Sequence, residues 1–253
     1  MKKTKIYGHR GAMGEYPENT LLSFKQAIEQ GADGLEIDVQ LTKDGEVVVI
    51  HDERLDRTTT GSGFVKDLTL NEIKQYSAGA NFKHLLKYNE AWVEETVPTL
   101  VEVFAFLAPY PEIELNIELK TFPLRYPGIE ERVLKLSSLY GGNRNIIYSS
   151  FHLPSILSIK AMNDEAKIAW LLNQPISHPN EYCEALLLDG LHMGKNSILK
   201  KPSFLKEYNS QLRAWTVNST DEIKQLLDLK VDVIMTNYPE KAVFFRNERE
   251  VFV

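Results

Sequence analysis

Leu35-Glu36-Ile37-Asp38-Val39-Gln40 alternates strictly between apolar and polar residues, and Ile113-Glu114-Leu115-Asn116-Ile117-Glu118-Leu119-Lys120 repeats the pattern further along the chain. Side chains on a strand point alternately to two faces. Each segment therefore has one wholly apolar face and one face of acids, amides and a lysine. Such alternation is commonest in an antiparallel sheet with one side in water. The rest of the chain argues for a different setting. Short β-rich runs recur at 5–8, 35–39, 113–119, 146–149, 168–172, 190–193, 212–217 and 231–235, with helical stretches such as 19–29, 154–162 and 219–229 between them. Strand–helix alternation of this kind implies a parallel sheet. Eight such units in 253 residues make a closed (β/α)8 TIM barrel the expected fold. An open doubly wound sheet is the alternative, weakened because no glycine-rich dinucleotide loop follows the first run. In a barrel, Leu35, Ile37, Val39 and Ile113, Leu115, Ile117, Leu119 face the outer helices. Glu36, Asp38, Glu114, Asn116, Glu118 and Lys120 are then forced inward.

Local signals fill in the outline. The helix expected over 19–29 carries Leu21, Phe24 and Ile28 on one face, and Gly31 stops it. Lys43-Asp44-Gly45 predicts a hairpin turn into a second short strand at 47–50. Residues 53–95 break the rhythm: they are polar and turn-rich, with Thr58-Thr59-Thr60-Gly61-Ser62-Gly63 near their start. They are expected to be a small insertion after the second βα unit. Long βα loops of a barrel lie over its active-site end. The chain 1–253 is read as a single barrel domain that includes this insertion.

Composition narrows the function. Hydrophobic residues make up 43% and charged residues 25%, and the formal net charge is −6. A chain of that charge lacks the broad basic face that nucleic acid requires. No apolar run reaches membrane-spanning length, so stable membrane insertion is not expected. The single cysteine, Cys183, leaves no internal disulfide and is read as buried packing. The amino terminus has no apolar segment of the secretory kind. A cytoplasmic location is the expectation.

The inward-facing acids are the chief chemical anomaly. Interior carboxylates are costly unless paired or bound to a cation. Glu36, Asp38 and Glu118, near strand ends, would form an oxygen cage suited to one Mg²⁺ or Ca²⁺. Glu114 and Asn116 fall deeper and are assigned to an interior polar network. His9 and His51 each sit just past a strand end, where barrel active sites lie, and make a candidate acid–base pair. Arg10 and Lys120 are candidate partners for phosphoryl oxygens, with a salt bridge from Arg10 to Glu18 or another acid as the plainer role. Trp215 is placed on one face with Arg213 and Val217. Both it and Phe151 are read either as pocket walls or as core. His192 is a lesser candidate for the pocket. His84, His152 and His178 are read as surface residues, and Glu94-Glu95 as a solvated face. No paired Cys/His zinc motif, P-loop or Gly-x-Ser-x-Gly elbow is present.

Short stretches along the chain share a further likeness. They are His9-Arg10-Gly11, Pro17-Glu18-Asn19-Thr20, Glu36-Ile37-Asp38-Val39, Thr42-Lys43-Asp44-Gly45 and Val48-Val49-Ile50-His51-Asp52. After these come Leu55-Asp56-Arg57-Thr58-Thr59, Val97-Pro98-Thr99-Leu100, Ile117-Glu118-Leu119-Lys120 and Ser150-Phe151. The last are Ala214-Trp215-Thr216-Val217-Asn218 and Thr236-Asn237-Tyr238-Pro239. In this order they resemble the glycerophosphodiester phosphodiesterase family across nearly the whole chain. The resemblance implies a TIM barrel in which Glu36, Asp38 and Glu118 hold one divalent cation, Mg²⁺ or Ca²⁺. It implies His9 and His51 as general acid and base, and Arg10 and Lys120 on the phosphate. It implies a glycerophosphodiester substrate whose own glycerol hydroxyl attacks first, giving a cyclic phosphate that water opens. The products would be glycerol 3-phosphate and an alcohol. One departure is visible: the family often has Thr-Asp-Tyr-Pro where this chain has Thr236-Asn237-Tyr238-Pro239, so a carboxylate becomes a neutral amide.

Overall fold

The apolar faces of the alternating segments turn outward to a ring of helices, and eight parallel strands close on one another among the described residues. The computed structural model describes residues 3–200, 202 and 208–251. Met1 and Lys2, part of the amino-terminal stretch read for a secretion signal, lie outside them. The parallel strands are β1 (Lys5–His9), β2 (Gly34–Leu41), β4 (Glu114–Leu119), β5 (Ile146–Ser150), β6 (Lys167–Leu172), β7 (Gly190–Gly194), β8 (Gln211–Trp215) and β9 (Val233–Thr236), while β3 (Val47–Val49) runs antiparallel to β2. Each parallel strand bonds its neighbours in chain order, and β1 pairs with both β9 and β2 to close the barrel. The intervening helices are α1 (Leu21–Glu29), a short α2 (Leu70–Ile73), α3 (Leu100–Leu107), α4 (Ile129–Tyr140), α5 (Leu153–Met162), α6 (Pro179–Ala185), α7 (Lys195–Lys200), α8 (Thr220–Asp228) and α9 (Pro239–Val251).

Register puts the polar residues in layers. His9 lies opposite Glu36, Glu36 opposite Asn116, and Asp38 opposite Glu118. Leu35, Ile37, Val39, Leu115, Ile117 and Leu119 are buried with Phe24, Leu100, Val103, Leu107, Ile129 and Val133 in the main hydrophobic core. Capping fixes where the helices begin. Thr99 with Glu102 and Ser219 with Glu222 each form a reciprocal capping box at the start of α3 and α8, satisfying amides that a helix cannot pair internally. The first helix starts at Leu21, not at residue 19, because Thr20 caps it and Asn19 takes a left-handed φ of 55°.

Two further differences from the sequence expectation have local causes. Residues 53–95 lie within the second βα unit, between β3 and α3, rather than after it: the apolar run that follows them is that unit's own helix. Their single-turn helices enclose a small second core in which Leu55, Val65, Ile73, Ala78 and Val97 pack on Val48 and Ile50. Trp215 and Val217 do not share a face. The strand ends at Trp215, so the period of two lapses there. Val217 turns into the main core, and Trp215 packs beside Tyr7, Val233 and Met235.

Among the described residues, no helix is long and apolar enough to cross a membrane. Ile117 is fully buried between barrel and helices, whereas Leu86 is fully exposed. Ile117→Ala is expected to lose about 2–5 kcal/mol, read as a lower urea midpoint at unchanged slope. Leu86→Ala should stay within about 0.5 kcal/mol of the parent. Equal losses in the two variants would contradict this account of the core.

Candidate active site

Barrel strands end where their loops begin, so the side chains that top β1, β2 and β4 meet over the barrel mouth. Glu36, Asp38 and Glu118 are buried, and each offers a carboxylate oxygen within 4.8 Å of the others. The Arg10 guanidinium forms an ion pair with Asp38, Nε lying 3.3 Å from Oδ2. Lys120 Nζ lies 2.8 Å from Glu118 and 3.6 Å from Asp38. Asn19 donates to Asp38 Oδ2, the oxygen that also faces Arg10, at 2.9 Å. The left-handed turn that moves the start of the helix thus delivers this amide to the site.

The three acids are not equivalent. Burial pushes the Glu36 carboxyl well above the usual carboxylate range, and the charges of Asp38 and Glu118 push it further. Burial works against Asp38 too, but Lys120, Arg10 and His51 outweigh it and hold its carboxyl below the usual range. Glu118 is raised, by burial and by Asp38, despite Lys120. Two carboxylate oxygens, Glu36 Oε1 and Asp38 Oδ1, are buried with no hydrogen-bond partner. Buried acceptors left bare cost about 1–3 kcal/mol each. Carboxylate oxygens crowded together in this way fit a hard divalent cation.

Arg10 occupies a left-handed φ of 52°, a conformation that costs a non-glycine residue about 1–2 kcal/mol. Three hydrogen bonds hold it there. Its N–H donates to Glu36 at 2.9 Å, and its carbonyl accepts from the Asn19 N–H at 3.1 Å and the Ser23 hydroxyl at 2.9 Å. Its guanidinium also donates to Glu18 at 2.8 Å. The salt bridge to Glu18 and a place in the pocket wall are therefore both present.

The two histidines flank the acids with different partners. His9 Nδ1 meets Asn237 Oδ1 at 2.8 Å, leaving Nε2 free on the site side, 4.0 Å from Glu36. Burial, helped by Arg10, lowers its pKa to about 4, so the ring is neutral at pH 7. His51 Nδ1 meets the Asp52 carboxylate at 2.7 Å. A carboxylate only accepts, so this nitrogen carries the proton. The backbone behind His51 is held by Gln40, whose amide donates to the carbonyls of Ile50, His51 and Asp52 at 3.1, 2.9 and 2.7 Å.

A cavity of about 100 Å³ opens between them, lined by His9, Arg10, Glu36, His51, Glu118 and Lys120 on its polar side. Phe151, Leu171, Trp215 and Met235 line the other side, with the Phe151 and Trp215 rings edge to face at 5.5 Å. Asn116 belongs to the floor and donates to Ser149 at 3.0 Å. Glu114 lies lower still, accepting from Lys5, Tyr7 and Asn145. His192 does not reach the cavity. It is fully buried, 3.2 Å from Arg213, and its pKa is held well below the ordinary value by burial and that guanidinium. His84 and His178 are exposed, but His152 is half-buried and bonded to Ser155. Glu94 is exposed, whereas Glu95 is partly buried against the start of α1. Cys183 is a buried free thiol.

Gln40, Asn19, Asp52 and Arg57 support the site without having been singled out as site residues in the sequence. Asp52 follows a candidate histidine directly and could have been found on that ground. The side chains of Asn19 and Arg57 reach the site only through turns whose geometry no periodicity encodes.

A sequence model of the glycerophosphoryl diester phosphodiesterase family matches residues 9–241. The chain belongs to that family. Membership in the glycerophosphoryl diester phosphodiesterase family makes it a hydrolase of phosphoric diesters. A glycerophosphodiester phosphodiesterase of Bacillus altitudinis is 40% identical over 97% of this chain and 99% of its own. Another from Caldanaerobacter subterraneus is 40% identical over 95% of this chain and 97% of its own. A solved structure of an Oleispira antarctica phosphodiesterase, in complex with the product sn-glycerol-3-phosphate, superimposes with a TM-score of 0.84 at 30% identity, covering 95% of each chain.

The crowding of the acids predicts a stability effect for this family member. A carboxyl whose pKa is raised by folding destabilises the native state progressively as pH climbs from its unfolded to its folded pKa. Glu36→Gln removes that charge and leaves an amide oxygen for the Arg10 N–H. In chelator, Glu36→Gln should raise Tm, with the gain growing from acid toward neutral pH. The expected gain is a few degrees, at roughly 2–4 °C per kcal/mol for a chain of this size. A lower Tm at neutral pH would contradict the assignment of strain to Glu36.

Proposed function

We propose that the chain hydrolyses water-soluble glycerophosphodiesters to glycerol 3-phosphate and an alcohol, with one divalent cation, Mg²⁺ or Ca²⁺, held by Glu36, Asp38 and Glu118. The observation that carries the reading is the convergence of these three buried carboxylates, with bare oxygens on two of them, between His9 and His51. When bound, the cation would supply charge neutralisation for the phosphoryl oxygens and lower the pKa of an oxygen nucleophile.

The chain's own groups divide the remaining work. His9 is neutral, its Nδ1 occupied by Asn237, so its free Nε2 takes the proton from the attacking oxygen. His51 carries a proton on the nitrogen facing Asp52. Its other nitrogen delivers a proton to the leaving alkoxide. Arg10 and Lys120 line the same wall and bind the phosphoryl oxygens. Phe151 and Trp215 form the apolar side, against which a glycerol carbon chain packs. Asn237 orients His9 without adding a charge, so the amide preserves geometry and gives up imidazolium stabilisation. The whole chain acts as one barrel domain, with residues 53–95 supporting the His51 side. A cytoplasmic, reducing location belongs to the same reading and rests on the single free cysteine.

The test is a substrate panel. The protein should release glycerol 3-phosphate from glycerophosphocholine or glycerophosphoethanolamine, stop in chelator, and recover with added divalent cation. His9→Ala and His51→Ala should each lower kcat on the order of 10²–10⁴-fold with Tm little changed. Preference for intact lipid vesicles over these deacylated substrates would move the reading to a phospholipase. Binding of the diesters without turnover by cation-loaded protein would sink it.

A further inference from the structure

Arg57 lies in the segment after β3, away from the cavity wall, yet its guanidinium grips two carboxylates at once. Nε and Nη2 donate to the two oxygens of Asp52 at 2.6 and 2.9 Å. Nη1 and Nη2 donate to the two oxygens of Glu18 at 2.7 and 2.8 Å. Each carboxylate then passes the constraint to a residue of the site. Asp52 accepts from His51 Nδ1 at 2.7 Å, and Glu18 accepts from Arg10 at 2.8 Å. One planar group thus ties together the supports of a histidine on one loop and an arginine on another.

An exposed arginine usually contributes little, and the Arg57 side chain is 48% exposed. Here the far end of the contact is different. The Glu18 side chain is only 3% exposed. Burial works against its charge, and the Arg57 hydrogen bonds are foremost among the interactions that outweigh burial and hold its carboxyl below the usual range. The Asp52 carboxyl is lowered first by Arg57 and then by His51. The loop carrying Arg57 is itself fixed, since Asn81 donates to the carbonyls of Arg57 and Thr59 at 3.4 and 2.6 Å. A rigid fork of donors can serve two carboxylates in one plane, whereas the ammonium of lysine is a point charge.

We propose that Arg57 is a positioning residue for hydrolysis: it fixes the Asp52 carboxylate that decides which nitrogen of His51 carries the proton, and through Glu18 it fixes the Arg10 guanidinium. The inference rests on the proposed function, in which His51 moves a proton. It gives residues 53–95 a task, because this segment carries the fork to the site.

The test combines side-chain ¹⁵N NMR of the histidines, at a pH where the His51 ring is neutral, with kinetics on glycerophosphocholine plus divalent cation. The parent protein should hold His51 as the Nδ1–H tautomer. Arg57→Ala should give a mixture of tautomers and a loss on the order of 10–100-fold, carried mostly by kcat, with little change in Tm. Guanidinium ion at non-denaturing concentration should restore part of both, and methylammonium neither. Arg57→Lys should resemble the alanine variant, and it carries the test if that variant fails to fold. Retention of the Nδ1–H tautomer in the variants, or an undiminished kcat, overturns the proposal. If the parent hydrolyses no glycerophosphodiester while the tautomer still shifts in the variants, the functional reading fails and the positioning role stands.

Discussion

Three carboxylates in the same barrel mouth repel one another, and most of the site's architecture answers that repulsion. Adjacent parallel strands in fixed register put Asp38 opposite Glu118 and Glu36 two residues below Asp38. The barrel wall keeps water from screening them. Arg10 and Lys120 return part of the charge, and Asn19 satisfies one oxygen by hydrogen bonding. The remaining bare oxygens keep the site short of full satisfaction. Such incomplete pairing is costly for a fold and is tolerated where a ligand completes it.

The surrounding elements follow from holding these groups in place. Arg10 bends into a left-handed conformation so that its backbone meets Glu36 while its side chain meets Asp38 and Glu18. The hairpin from β2 to β3 returns the chain so that His51 stands over the acids, and Gln40 secures that return from the end of β2. The two histidines are held in different electrostatic settings, an amide behind one and a carboxylate behind the other. Groups with contrasting partners in one cavity can divide acid and base work.

The barrel was legible because its outward faces are apolar at every second residue and its strands recur at helical intervals. The inward acids were legible for the same reason: Leu35, Ile37 and Val39 could only face the helices if Glu36 and Asp38 faced in. Legibility ended where regular periods ended. Val217 lies beyond the last residue of its strand, so counting by two misplaced it relative to Trp215. The helix boundary at Thr20 depends on a turn at Asn19, and that turn also carries the amide to Asp38. Residues 53–95 were recognisable as an interruption. Their position before α3, and the reach of Arg57 from them, depend on a small second core that has no repeating pattern.

The account depends most on Glu36, Asp38 and Glu118 forming one cation site. The direct measurement is an anomalous difference map from crystals of the protein grown with Mn²⁺ in place of the lighter ion. The account predicts one strong peak ligated by all three carboxylates between His9 and His51, lost in Asp38→Asn crystals. A map with no peak there, or with the ion bound by other residues, would contradict it.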